Sequence, residues 1–109
     1  MTDTIVQQVQ TWFASRGRVL SQRFSKINLL LSSPTDLVKG QATIQVDGEK
    51  AGASITFWNK GDVEAMVLDK TSGKNHVLDD RVLAANDDVS VLLQGYSDRL
   101  LALVKDNGR

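Results

Sequence analysis

Residues 55–69 read ITFWNKGDVEAMVLD, and the way this stretch pairs with itself decides the fold. If Asn59-Lys60-Gly61 forms a three-residue loop, Phe57 faces Val63, Ile55 faces Ala65 and Ala53 faces Val67. Every apolar partner then lies on one side of the sheet, whereas a slip of one residue would bury Glu64 instead. Three-residue hairpins commonly place a type I turn before a left-handed residue, and Gly61 stands where that residue is needed. Asn59-Lys60-Gly61-Asp62 also has the form of a guanine-reading motif, but no glycine-rich phosphate loop precedes it. Thr71-Ser72-Gly73-Lys74 leads into Asn-His-Val-Leu, a strand pattern rather than a helix, so turn chemistry accounts for both segments.

Working outward, Ala42, Ile44 and Val46 alternate with Thr43, Gln45 and Asp47. Asp47-Gly48 has the form of a two-residue type I′ turn, which predicts Ile44 opposite Ala51 and Ala42 opposite Ala53. Side chains on one face recur every second residue, so Ile55 and Phe57 join the same inward face. Asp69 to Lys74 makes a third hairpin, with Gly73 taking its special conformation, and the sheet ends near Leu78 or Leu83. Upstream, Ile27, Leu29 and Leu31 alternate as a strand stopped by Ser32-Ser33-Pro34.

Helical periodicity marks both ends. Ile5, Val9, Trp12, Phe13 and Arg16 form a stripe from residue 3 to 16, and Leu20 and Phe24 extend it. Gly17 could end the helix, but we favour continuation to about residue 24. Near the C-terminus, Asn86 is the expected cap, with Asp87 and Asp88 complementing the positive end of the dipole. Leu92, Leu93, Tyr96, Leu100, Leu103 and Val104 supply that helix's apolar stripe, with Lys105 near its end and Gly108 just beyond. The expected architecture is α+β, one domain over residues 1–109, with a mainly antiparallel sheet of four or five strands flanked by N-terminal and C-terminal helices.

Composition narrows function by exclusion. The 109 residues contain no cysteine and one histidine, His76, which removes thiolate chemistry and any two-imidazole site. No Ser-His-acid arrangement or calcium-loop spacing is visible, so no catalytic residue, cofactor or metal site is expected. Thirteen basic and thirteen acidic groups balance overall, yet residues 1–39 carry five basic groups against two acidic, Asp3 and Asp36. Arg16, Arg18, Arg23 and Lys26 form too small a cluster for nucleic acid and read as a solvated face. MTDTIVQQVQ shows no signal peptide and the apolar run Ile27 to Leu31 is too short for a membrane span, so a cytoplasmic protein is expected.

The face opposite the apolar set carries Thr56, Trp58, Asp62, Glu64, Met66 and Leu68. A terminal helix could cover it, making Trp58 and Met66 core. Left open, it would present an aromatic anchor in an acidic rim of Asp62 and Glu64, joined by Asp79 or Asp80, suited to a basic protein partner.

TWF in the first helix, the block ITFWNKGDVEAMVLDKTSGK and the acidic approach to the last helix resemble TriTu-type immunity proteins. The family's pattern of tryptophan, two residues and glycine, then alternating acidic and apolar residues, falls on Trp58, Gly61, Asp62, Glu64, Leu68, Asp69 and Gly73. The likeness runs from Thr11 to about Leu101 and is sharpest over residues 55–73. It implies a non-enzymatic antitoxin, monomeric when free, for an Rhs polymorphic toxin whose catalytic domain ADP-ribosylates elongation factor Tu. Trp58 would anchor that domain while Asp62, Glu64, Asp79 and Asp80 meet its basic residues. The competing readings are a small secretion chaperone and a nucleic-acid-binding module.

Overall fold

A computed structural model describes residues 4–22, 24–84 and 86–107. Five strands form one antiparallel sheet in sequence order: β1 (Lys26–Ser32), β2 (Gln41–Asp47), β3 (Ala51–Trp58), β4 (Asp62–Asp69) and β5 (Lys74–Val82). Helix α1 (Ile5–Arg16) with its 3-10 extension (Gly17–Gln22) precedes the sheet, and α2 (Val89–Asn107) follows it. The fold is therefore α+β as the sequence predicts.

The β3–β4 hairpin has the expected register: Phe57 faces Val63, Ile55 faces Ala65 and Ala53 faces Val67. Gly61 holds φ at +114° and Gly73, in the next turn, at +76°, values that cost other residues strain. The Asp47-Gly48 turn is not formed. Its tip lies two residues further on, with the Gly48 N–H donating to the Ala51 carbonyl at 2.9 Å and Asp47 opposite Gly52. The expected partners of Ile44 and Ala42 are thus replaced by Ile55 and Phe57. Branched and aromatic cross-strand pairs outweigh the local preference of an Asp-Gly pair. Shifting the turn by two residues preserves the faces, so the inward set is unchanged.

Both helices pack on that inward face. Val6, Val9, Trp12, Leu20 and Phe24 from the N-terminal segment meet Ala42, Ile44, Ile55, Phe57, Val63, Ala65 and Val67 from the sheet. Val89, Leu93, Tyr96 and Leu100 complete the core from α2, where the Phe57 and Tyr96 rings lie 6.4 Å apart. Thr4 opens α1 through a capping box with Gln7, each satisfying the other's backbone N–H. The expected single helix to residue 24 is corrected: the α-helix stops at Arg16 and the path tightens into 3-10 turns. Gly17 sits under Phe13, where a Cβ would come within 3.1 Å of the ring. Leu20 and Phe24 still reach the core, so the stripe survives the change of helix type.

The cap of α2 is Asp88 rather than Asn86. Its carboxylate accepts from the Ser90 N–H at 2.9 Å, while Asp87 accepts from the Ala84 N–H at 2.7 Å and serves the approach. Of the remaining expectations, Leu103, Val104 and Lys105 lie outside the described side chains, and Asp3, Arg23 and Gly108 outside the described residues. No helix among the described residues is long and apolar enough to cross a membrane.

Candidate partner-binding surface

With both helices on one side, the other face of the sheet is open. Cross-strand register arranges it in rows: Ser32, Gln41, Trp58, Asp62 and Val82 at one end, then Leu30, Thr43, Thr56, Glu64 and Asp80. Trp58 and Met66 are half-buried and stand outside the core that the helices cover, so among the described residues this face takes the open one of its two readings. Trp58, Lys60, Asp62, Glu64, Asp80 and Val82 line a shallow concavity of about 510 Å³. Arg81 also borders it, and the sequence marked neither Arg81 nor Val82 because their strand has little alternation to read.

Electrostatics differ between the acids of this end. Asp62 pairs with Lys60 at 3.0 Å across the hairpin loop. Glu64 and Asp80 stand directly opposite one another, both exposed, with no ion pair to either among the described residues. Like charges facing across an antiparallel pair destabilise it. This end of the sheet is thus left acidic at a cost to the free protein.

Asp79 goes elsewhere, and a bulge in β5 is the reason. Met66 pairs with Val77 and Ala65 with Asp79, leaving Leu78 as the extra residue. Past the bulge, Asp79 faces the helices and Asp80 the open side; unbroken register would reverse them. The Asp79 carboxylate accepts from the Tyr96 hydroxyl at 2.6 Å and from Arg81 Nε at 2.7 Å. Burial works to raise its pKa, but the Tyr96 hydrogen bond and the Arg81 bond and charge together hold it below the ordinary carboxylate range. Burial and the hydrogen bond to Asp79 push the Tyr96 hydroxyl far above its usual value. Arg99 Nη1 donates to the carbonyl of bulged Leu78 at 3.1 Å, so α2 fastens the bulge from both sides.

Asn59 is the residue sequence reasoning undervalued. Its Oδ1 accepts from the Val6 N–H at 2.9 Å, and its Nδ2 donates to the carbonyls of Pro34 and Asp36 at 3.0 and 2.9 Å. One side chain therefore clamps the start of α1 and the β1–β2 loop beside Trp58. All three partners are backbone atoms distant in sequence, so no local pattern could have revealed them.

His76 is exposed on β5 opposite Val67, and no group of three or more potential metal ligands gathers among the described residues. The family model described as "Immunity protein TriTu" matches residues 7–99, most of the chain. Neither curated proteins nor solved structures provide a match.

Proposed function

Because this chain belongs to the TriTu immunity-protein family, we propose that it neutralises an Rhs toxin's ADP-ribosyltransferase domain by covering it, sparing elongation factor Tu. Family membership supports binding to a cognate toxin protein, without catalysis by the chain itself.

In this reading the open end of the sheet meets the toxin, with Trp58 as the aromatic anchor and Asp62, Glu64 and Asp80 facing its basic residues. Asp79 acts behind that surface: bonded to Tyr96 and Arg81, it secures the bulge that turns Asp80 outward. The observation that carries the reading is the uncompensated Glu64–Asp80 pair beside half-buried Trp58 on an uncovered sheet. A cationic partner would relieve this repulsion on binding, and its acidic field would speed encounter with such a partner.

The test is co-expression with the ADP-ribosyltransferase domain of an Rhs toxin from the same genome. Growth should be rescued by the wild-type chain, and rescue should fail for the Trp58→Ala/Asp62→Ala double variant at equal soluble expression. Rescue by that variant at wild-type level would remove this surface from the proposal.

A further inference from the structure

Leu37 and Val38 sit at adjacent positions in the β1–β2 loop and are 70% and 67% exposed, contributing nothing to the core. An exposed apolar pair on a loose loop would need no explanation, but this loop is tightly held. Asp36 accepts from the Val38 and Lys39 N–H groups at 2.8 Å each, closing the chain into a turn around its carboxylate. The Asp36 N–H donates to Ser33, the Gly40 N–H to the Asp36 carbonyl, and the Asn59 N–H to the Gly40 carbonyl. The Asn59 side chain adds its bonds to Pro34 and Asp36.

Two positions show that this shape is maintained against local cost. Ser33 holds φ at +46°, a left-handed conformation costing a non-glycine residue about 1 kcal/mol. Gly40 has no room for a side chain, since a Cβ would come within 2.3 Å of Asn59 Nδ2 and 2.5 Å of the Asp36 carbonyl. A loop ordered in advance, with its apolar side chains outward, has already met the entropic cost that binding would otherwise impose. The Gly40–Asn59 bond fixes it at the Trp58 end of the sheet, on the β1–β2 side, with the acidic Glu64–Asp80 pair across the sheet on β4 and β5.

We propose that the β1–β2 loop is a preformed apolar finger that seats Leu37 and Val38 in an apolar pocket of the same toxin domain whose cationic groups Glu64 and Asp80 meet across the sheet. This rests on the reading that the partner is a folded toxin domain. It adds a second anchor outside the sheet face and specifies an apolar pocket on the toxin domain, separate from the cationic groups that meet Glu64 and Asp80.

The experiment is calorimetric titration of the same ADP-ribosyltransferase domain with wild-type protein and with Leu37→Ser/Val38→Ser. Neither side chain supports the core, so the double variant should melt like wild type and bind about 100-fold more weakly, as loss of a central apolar anchor does. Affinity within about twofold of wild type, the scale of a near-neutral contact, would overturn the finger and leave the antitoxin reading standing. Failure of the wild-type chain to bind would overturn that reading for this toxin, and the finger with it. Light scattering separates the other occupant: a wild-type dimer dissolved by the double variant would mean the tip holds a second copy, which also overturns the proposal. Should the double variant lose its melting transition, a photoreactive group at position 38 replaces it. Cross-linking to the toxin then supports the finger, and its absence refutes it.

Discussion

Replacing Glu64 by glutamine and Asp80 by asparagine together should make the free protein more stable and its complex weaker. The two carboxylates face each other across β4 and β5 on an exposed surface. At a separation of about 6 Å and the dielectric of water, like unit charges repel by about 0.7 kcal/mol. Exposure and salt reduce this, and cross-strand pairs in general are worth about 0.2–1 kcal/mol. A gain near 0.5 kcal/mol is expected, which for a domain of this size raises Tm by about 2–4 °C. The amides keep the shape but exchange one acceptor oxygen for an N–H donor, so packing is not the variable and salt dependence separates charge from hydrogen bonding. Thermal melts in low salt and in 1 M salt form the assay, because a Debye length of about 3 Å at 1 M should erase most of the gain. Titration of the toxin domain should show affinity about tenfold to a hundredfold lower, with a slower association rate and a weaker salt dependence. A variant no more stable than wild type, or one whose gain persists in 1 M salt, would refute the repulsion argument. Unchanged binding would refute the assignment of this pair to the interface.

The Asn59 clamp should be sensitive to its neighbour: Gly40→Ala forces a Cβ into Asn59 Nδ2 and two carbonyls, and should cost about 1–3 kcal/mol in denaturant unfolding. Gly95→Ala should act in the opposite direction, because its site on α2 is exposed with nothing within 4 Å of a Cβ, and a helical alanine gains about 1 kcal/mol over glycine. Asp79, held below the usual carboxylate pKa despite burial, contributes stability that is complete above about pH 4 and is lost as pH falls through its lowered folded value. Asp79→Asn should therefore flatten the acid limb of a stability–pH profile. Tyr96, raised by burial and by Asp79, contributes stability present below about pH 10 and lost above it, so Tyr96→Phe should flatten the alkaline limb.

The hairpin around Asn59-Lys60-Gly61 was legible because alternation and the glycine position agreed, and only one register buried every apolar residue. The preceding turn was not: an Asp-Gly pair is a local preference, whereas the register depends on which side chains meet across strands. The bulge at Leu78 left no mark in the sequence, because one extra residue in an exposed strand changes no composition. Its consequence for the site is large, since it separates Asp79 from Asp80 and sends one to α2 and the other to the open face. Trp58, Asp62 and Glu64 could be named from parity alone and do come together, whereas parity left Asp79 and Asp80 open and the bulge brings Asp80 to them. The clamp by Asn59 and the ordered loop around Leu37 depend on backbone atoms brought near by the fold, which periodicity does not encode.

The central claim is that the open end of the sheet faces the toxin. Hydroxyl-radical footprinting of the complex, read by mass spectrometry, tests it most directly. Trp58 and Val82 line the proposed surface, whereas Val91, 66% exposed on α2, lies on the helix layer. The account predicts that toxin binding protects Trp58 and Val82 from oxidation and leaves Val91 as reactive as in the free protein. Protection of Val91 with Trp58 and Val82 unchanged would place the toxin on the helices and contradict the account.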